Sequence, residues 1–258
     1  MDNYYINKEA RAKRAQEHTQ EMYDKYMDEI YYSINNSIIY GYNNKFPKIF
    51  NESINNPTIV VCALDSVVAA KSYKSGKTAI LNFASYKNPG GNFYGGSSAQ
   101  EESLCHESFL YNVLKSFEKT YYEPNRNNLN KGLYTNKAIY SPDVFFGEDK
   151  FDVITCAAPN IGVGRKYQNV SDAQNSKILD SRIKFILDIA AENKVDTLIL
   201  GAFGCGVFKQ NPIEVAGKFK YYINQYNFKN VIFAVPYSEN NNNLECFQKE
   251  FNNDITQI

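Results

Sequence analysis

Hydrophobic positions along the chain fall into two regimes that meet near Pro57. Between residues 8 and 40 the sequence is charged, with Ala10, His18, Met22, Tyr26, Ile30 and Ile34 one or two helical turns apart. That spacing predicts one or two amphipathic helices. The Asn- and Pro-containing stretch 42–57 breaks the period. Beyond it, short apolar runs at 58–64, 78–84, 138–140, 151–157, 197–202 and 231–235 have strand length and are rich in Ile, Val and Phe. Helix-like segments lie between them, most clearly at 100–117, 172–191 and 212–225. Strands alternating with helices predict an α/β protein, a three-layer α/β/α sandwich around a largely buried sheet. The expected organisation is an N-terminal helical extension over 1–56 and a main domain over 57–258.

Sheets of this class bind ligands in the loops that follow the carboxyl ends of their strands. Three loops therefore stand out, after Ala84, Ala157 and Ala202. The first contains Gly90, Gly91, Gly95 and Gly96 and runs from a strand into a helix. Glycines let backbone amides approach a phosphate, and a helix start adds orphan N–H groups. A long surface turn would use the same residues. At the end of this loop come Gln100, Glu101 and Glu102. Acidic residues in a first helical turn are commonly dipole complements. Placed after a candidate phosphate cradle, paired carboxyls also suit general acid chemistry, because each raises the other's pKa. Glycosidic cleavage needs such a proton on the leaving oxygen. The third loop, GAFGCGVF, sets glycines directly after an apolar strand and is either a second phosphate wall or a tight turn whose Phe208 fills the core. The second loop, 158–162, is expected to line the same cleft.

With 258 residues, 43% of them hydrophobic, the chain has material for one large core. Its 28 basic and 28 acidic residues cancel, which gives no field toward bulk nucleic acid or an anionic membrane and leaves room for a local phosphate site. No apolar run reaches the roughly 20 residues of a membrane span, and the first residues lack the apolar core of a signal peptide. The five cysteines are widely spaced and odd in number, which predicts buried free thiols and a cytoplasmic setting. His18 and His106 are the two histidines, with no close Cys or His spacing, so a zinc site or histidine triad is not expected. Ser75-Gly76-Lys77-Thr78 ends like a phosphate-binding loop, but it lacks the earlier glycine and leads into a strand.

Taken together, LNFASYKNPGGN from Leu81, AQEESLC from Ala99, YYEPNR from Tyr121, IYSPDVFF from Ile139, ITCAAPN from Ile154 and LGAFGCGVF from Leu200 resemble the bacterial-type poly(ADP-ribose) glycohydrolases, a branch with a macrodomain-like fold. The resemblance spans most of the chain. It implies a mixed sheet between helices that binds ADP-ribose without metal or cofactor. Glu102 would protonate the leaving ribose oxygen and then activate water, while Glu101 would orient ribose hydroxyls. Gly90 and Gly91, with Gly204, Cys205, Gly206 and Val207, would hold the pyrophosphate, and Phe208 would cover the terminal ribose. Asn88, Asn92 and Gln100 complete the expected ligand contacts. Where the family runs three glycines, this chain has Gly90-Gly91-Asn92. An Asn tolerates a left-handed backbone, but its side chain is expected to crowd whatever approaches. Three functions stay open: cleavage of poly(ADP-ribose) or an ADP-ribosylated protein, a non-catalytic ADP-ribose reader, and hydrolysis of a free ADP-ribose-derived nucleotide.

Overall fold

The computed structural model describes residues 8–46 and 56–251. The charged N-terminal segment is one helix, α1 (Lys8–Asn36), bent where Tyr26 leaves helical geometry. At the bend the Tyr26 hydroxyl donates to the Gly147 carbonyl, and its ring packs on Phe109 and Phe145. Next come β1 (Ile38–Gly41), β2 (Thr58–Cys62), α2 (Ser66–Tyr73) and β3 (Thr78–Phe83). The run predicted as one helix over 100–117 is two, α3 (Gln100–His106) and α4 (Leu110–Ser116). Ser108 makes the break: its hydroxyl donates to the Leu104 carbonyl and accepts the Leu110 N–H, so one side chain ends a helix and starts the next. A single turn, α5 (Glu123–Arg126), precedes the hairpin β4 (Lys137–Phe146) and β5 (Asp149–Cys156). The remaining elements are α6 (Ile161–Gln168), α7 (Asp172–Glu192), β6 (Thr197–Leu200), α8 (Pro212–Ile223), β7 (Asn230–Ala234) and α9 (Asn243–Phe251).

The strands form one seven-stranded sheet in the order β1-β4-β5-β3-β6-β7-β2. Five strands run parallel, from β5 through β3, β6 and β7 to β2, while β4 and β1 pair antiparallel at one edge. Alternate residues of each central strand enter opposite layers. Leu81, Leu198 and Phe233 pack with Leu179, Ile183, Phe219 and Phe247 of α7, α8 and α9. Ile80, Ile199 and Ile232 pack with Val67, Leu104, Leu110 and Ala15 of α2, α3, α4 and α1. Both faces are dry, which is why these strands read as continuous apolar runs.

Two expectations require correction. The expected extension, 1–56, includes β1, which pairs with β4, so it contributes a strand to the main sheet. The strand is four residues long with Tyr40 as its buried member, too short and too exposed for its alternation to stand out. The strand expected at 138–140 continues to Phe146. Pro142 and Asp143 sit in a bulge between Ser141 and Val144, where the Asp143 N–H turns to the Asp152 carboxylate. A bulge is where a sheet tolerates proline. No helix among the described residues is long and apolar enough to cross a membrane.

Candidate active site

The parallel strands β3, β5 and β6 deliver the three expected loops to one end of the sheet, and these meet. An open cleft of about 400 Å³ is lined by Ser85 and Lys87 of the first loop, Asn160 of the second and Phe208 of the third, with Lys131 and Tyr134 from the segment after α5. Its outer wall is fixed from below by Arg182. This fully buried guanidinium donates to Asn136, to the Ala157 carbonyl and to the Leu133 carbonyl.

At the edge of the cleft the first loop folds over the two glutamates. Gly90 and Gly91 both have left-handed backbone, φ 65° and 64°, the conformation glycine adopts without a steric cost. A Cβ on Gly91 would lie 2.5 Å from Glu102 Oε1 and 3.0 Å from Glu101 Oε2, so both carboxyls converge beneath this one residue. The side chains are 3% and 5% exposed, far less than first-turn glutamates that merely complement a helix dipole. Glu101 has both oxygens occupied: the Ser85 N–H donates to Oε2 at 2.7 Å and the Asn82 amide to Oε1 at 3.3 Å. Burial, reinforced by the charge of Glu102, pushes the Glu101 carboxyl up to about 8 despite these donors. Glu102 Oε1 accepts the Asn92 N–H at 2.8 Å, and its Oε2 meets no donor among the described residues. Cys105 closes the site from beneath Gly90, its thiol held neutral by burial.

The third loop presents a row of amides. Gly204 is left-handed at φ 76°, and a Cβ there would strike Ala158 and Gln210. Gln210 clamps the loop by donating from its backbone to Gly204 and from its side chain to Pro159. Backbone N–H groups of Gly204, Gly206, Val207 and Phe208 find no acceptor among the described residues. Space above Gly206 is open. Such free, convergent donors suit a phosphate.

The comparisons with known proteins bear on this geometry. The family model for the catalytic domain of microbial-type PARG, poly(ADP-ribose) glycohydrolase, matches residues 3–149. The chain belongs to that family. This glycohydrolase is similar to the Deinococcus radiodurans enzyme solved with ADP-ribose, at 32% identity and a TM-score of 0.77 over 86% of this chain and 96% of that one. It is also similar to the Thermomonospora curvata enzyme solved with the inhibitor ADP-HPD, at 25% identity and a TM-score of 0.79 over 94% and 99%. No match was found among curated proteins.

Several expected site residues take other parts in the glycohydrolase. The Gln100 amide is spent on structure: it accepts the Phe83 N–H and donates to Leu81 and Ser66. It pins the start of α3 to the end of β3 and so sets where the glutamates emerge. Cys205 turns its side chain to the core beside α9, and Asn88 is exposed, its carbonyl accepting the Gly91 N–H. His106 packs its ring on Phe93, and burial with the nearby His18 holds it down at about 4. Asn82 and Ser85 were missed. A lone Asn inside the apolar run Thr78–Phe83 was the available signal, whereas a backbone N–H such as that of Ser85 leaves none.

Asn92 also departs from expectation. Its φ is −112°, an ordinary value. Its side chain folds back over Gly95 and donates to Ser97 Oγ at 2.8 Å, bracing the loop whose N–H holds Glu102. Crowding is therefore not its role. Asn92→Gly gives up a hydrogen bond worth about 1 kcal/mol and adds backbone freedom costing about 0.5–1 kcal/mol. Turnover is expected to fall several-fold, with a melting temperature lower by a few degrees. A rise in turnover, measured beside the parent, would restore the crowding explanation.

Proposed function

We propose that this protein hydrolyses the ribose–ribose linkage of poly(ADP-ribose) and releases ADP-ribose. The carrying observation is the buried glutamate pair beneath Gly91, in which Glu101 is anchored through both oxygens while Glu102 Oε2 meets no donor among the described residues. Burial, reinforced by the charge of Glu102, keeps the proton on Glu101 at neutral pH, so that no charge faces the substrate from Glu101. Glu102 gives the leaving oxygen a proton as the bond from the ribose anomeric carbon breaks. Charge develops on the ribose as in an oxocarbenium ion. Water then attacks the anomeric carbon and returns a proton to Glu102, leaving ADP-ribose and a polymer shorter by one unit. Glu101 orients the ribose hydroxyls, and the free amides of Gly204, Gly206, Val207 and Phe208 take the pyrophosphate. The Deinococcus enzyme, with its bound ADP-ribose, supports the ligand assignment. Free thiols at all five cysteines support a reducing compartment, the cytoplasm.

The test is release of ADP-ribose from labelled poly(ADP-ribose) across pH, with chelator present. The expected product is ADP-ribose, formed at a rate that falls as pH rises past about 8, where the buried Glu101 loses its proton and puts a charge beside the reacting ribose. Folding stability should decline over the same approach, between the ordinary carboxylate range and about 8, since the folded chain then holds a proton that the unfolded chain has released. A rate unchanged through that range removes the Glu101 proton from the mechanism. Binding of ADP-ribose without release from any substrate would mark a reader.

A further inference from the structure

Residues 92–97 form a compact turn beside the two glutamates. Its shape is set internally: the Asn92 carbonyl accepts the Gly95 and Ser97 N–H groups, and the Phe93 carbonyl accepts that of Gly96. Its place is not, because those bonds move with it. One end meets the site, where the Asn92 N–H donates to Glu102 Oε1 at 2.8 Å. Phe93 is buried against the rings of His106 and Tyr111. The outer end, Gly96, lies against the first turn of α1. Its backbone is left-handed at φ 74°, and a Cβ there would run into the Lys8 carbonyl. Arg11, three residues on, donates from Nε to the Gly96 carbonyl at 2.8 Å.

Further along, α1 has anchors of its own. The buried His18 ring donates from Nε2 to the Ser108 carbonyl at 2.9 Å, just beyond α3, and the Asn112 side chain donates to the Thr19 carbonyl at 3.0 Å. Ala15, between Arg11 and His18, is buried in one apolar layer with Phe93, Leu104 and Leu110. The helix is therefore fastened to α3 and α4 without Arg11, and Arg11 carries that fixed position to the turn. Glu102 is the carboxyl that depends on it. Glu101 is tied to Asn82 and Ser85, which lie outside the turn, whereas Glu102 takes its hydrogen bond from the Asn92 N–H. Reacting groups tolerate little displacement, since about 1 Å costs about 10²-fold in rate.

We propose that Arg11 is a positioning residue for the glycosidic reaction, holding through the Gly96 carbonyl the turn that presents the Asn92 N–H to Glu102. The proposal rests on the glycohydrolase assignment and deepens it, by adding a side chain that acts on the acid through the backbone of the turn. Arg11→Ala and Arg11→Lys test it in the full chain, each alone and combined with Glu102→Gln. Labelled poly(ADP-ribose) is followed at single turnover as well as steady state, so that slow backgrounds stay measurable. Arg11→Ala is expected to lower kcat about tenfold, part of the cost of a full ångström. KM and calorimetric affinity for ADP-ribose stay within about twofold, the pattern of an interaction felt in the transition state. Arg11→Lys should recover part of the loss, because an ammonium still donates to a carbonyl but lacks the fixed direction of Nε. In the Glu102→Gln background no proton remains to be placed, so Arg11→Ala should cost less than about twofold further. Damage to the scaffold would multiply there as it does in the parent. Equal losses in both backgrounds, weaker ADP-ribose binding, or parental kcat in Arg11→Ala would each overturn the positioning role. Should Arg11→Ala not fold, Arg11→Lys carries the same comparison, with a loss of about threefold expected in the parent background and none in the Glu102→Gln background. A parent protein that cleaves no polymer overturns the glycohydrolase assignment and the positioning role with it, whereas a failed variant of an active parent overturns the positioning role alone.

Discussion

Glu102→Gln is expected to lower turnover on poly(ADP-ribose) by about 10²–10⁴-fold, the usual worth of general acid–base catalysis, while ADP-ribose binds as before. The amide keeps the size of the carboxyl, and its oxygen can still accept the Asn92 N–H that places Glu102. What it lacks is a proton to give to the leaving oxygen. Only an interaction made in the transition state is removed, so kcat falls and ground-state affinity does not. Glu101→Gln should be milder on chemistry, because an uncharged group at this buried position resembles the protonated carboxyl that burial already favours. Turnover and calorimetric affinity measured on parent and both variants decide the matter. Undiminished turnover in Glu102→Gln would remove it as the acid.

The second large effect is expected from a single methyl group. Gly91→Ala places a Cβ 2.5 Å from Glu102 Oε1, at a backbone φ of 64°. A left-handed alanine costs about 1–2 kcal/mol. The greater consequence is displacement of the carboxyls, whose tips must shift to clear the new methyl and so leave the N–H groups of Ser85 and Asn92 that place them. A misplacement near 1 Å costs about 10²-fold in rate, so turnover should fall by roughly that factor with a modest loss of thermal stability. Gly206→Ala, where a Cβ meets open space, is the matched control and should leave folding untouched. A Gly91→Ala protein with parental turnover would show that the loop does not rest on the carboxyls as described.

The α/β architecture was legible because both faces of the central strands are covered by helices, which forces uninterrupted apolar runs such as Thr197–Leu200 and Asn230–Ala234. The sites of the loops followed from strand direction, and Glu101 and Glu102 followed from their place after a glycine turn. Edge structure was not legible. β1 and the far half of β4 depend on partners distant in sequence, and a bulge lets Pro142 sit where local rules would end a strand.

Residue types and their order along the chain determined the fold class, the three ligand loops and the paired carboxyls, because each leaves a local mark: an apolar run, a glycine cluster, an acidic first turn. Tertiary structure alone decided which carboxyl is anchored and which is free, since that depends on the Ser85 and Asn92 backbone N–H groups and on Asn82 from a neighbouring element. It likewise turned Gln100 inward, folded Asn92 away from the cleft, and brought Lys87 and Lys131 to one wall. The physical reason is the same in each case. A side chain's chemistry is written in its own residue, but its protonation, orientation and exposure are set by groups tens of residues away, which the chain's order does not record.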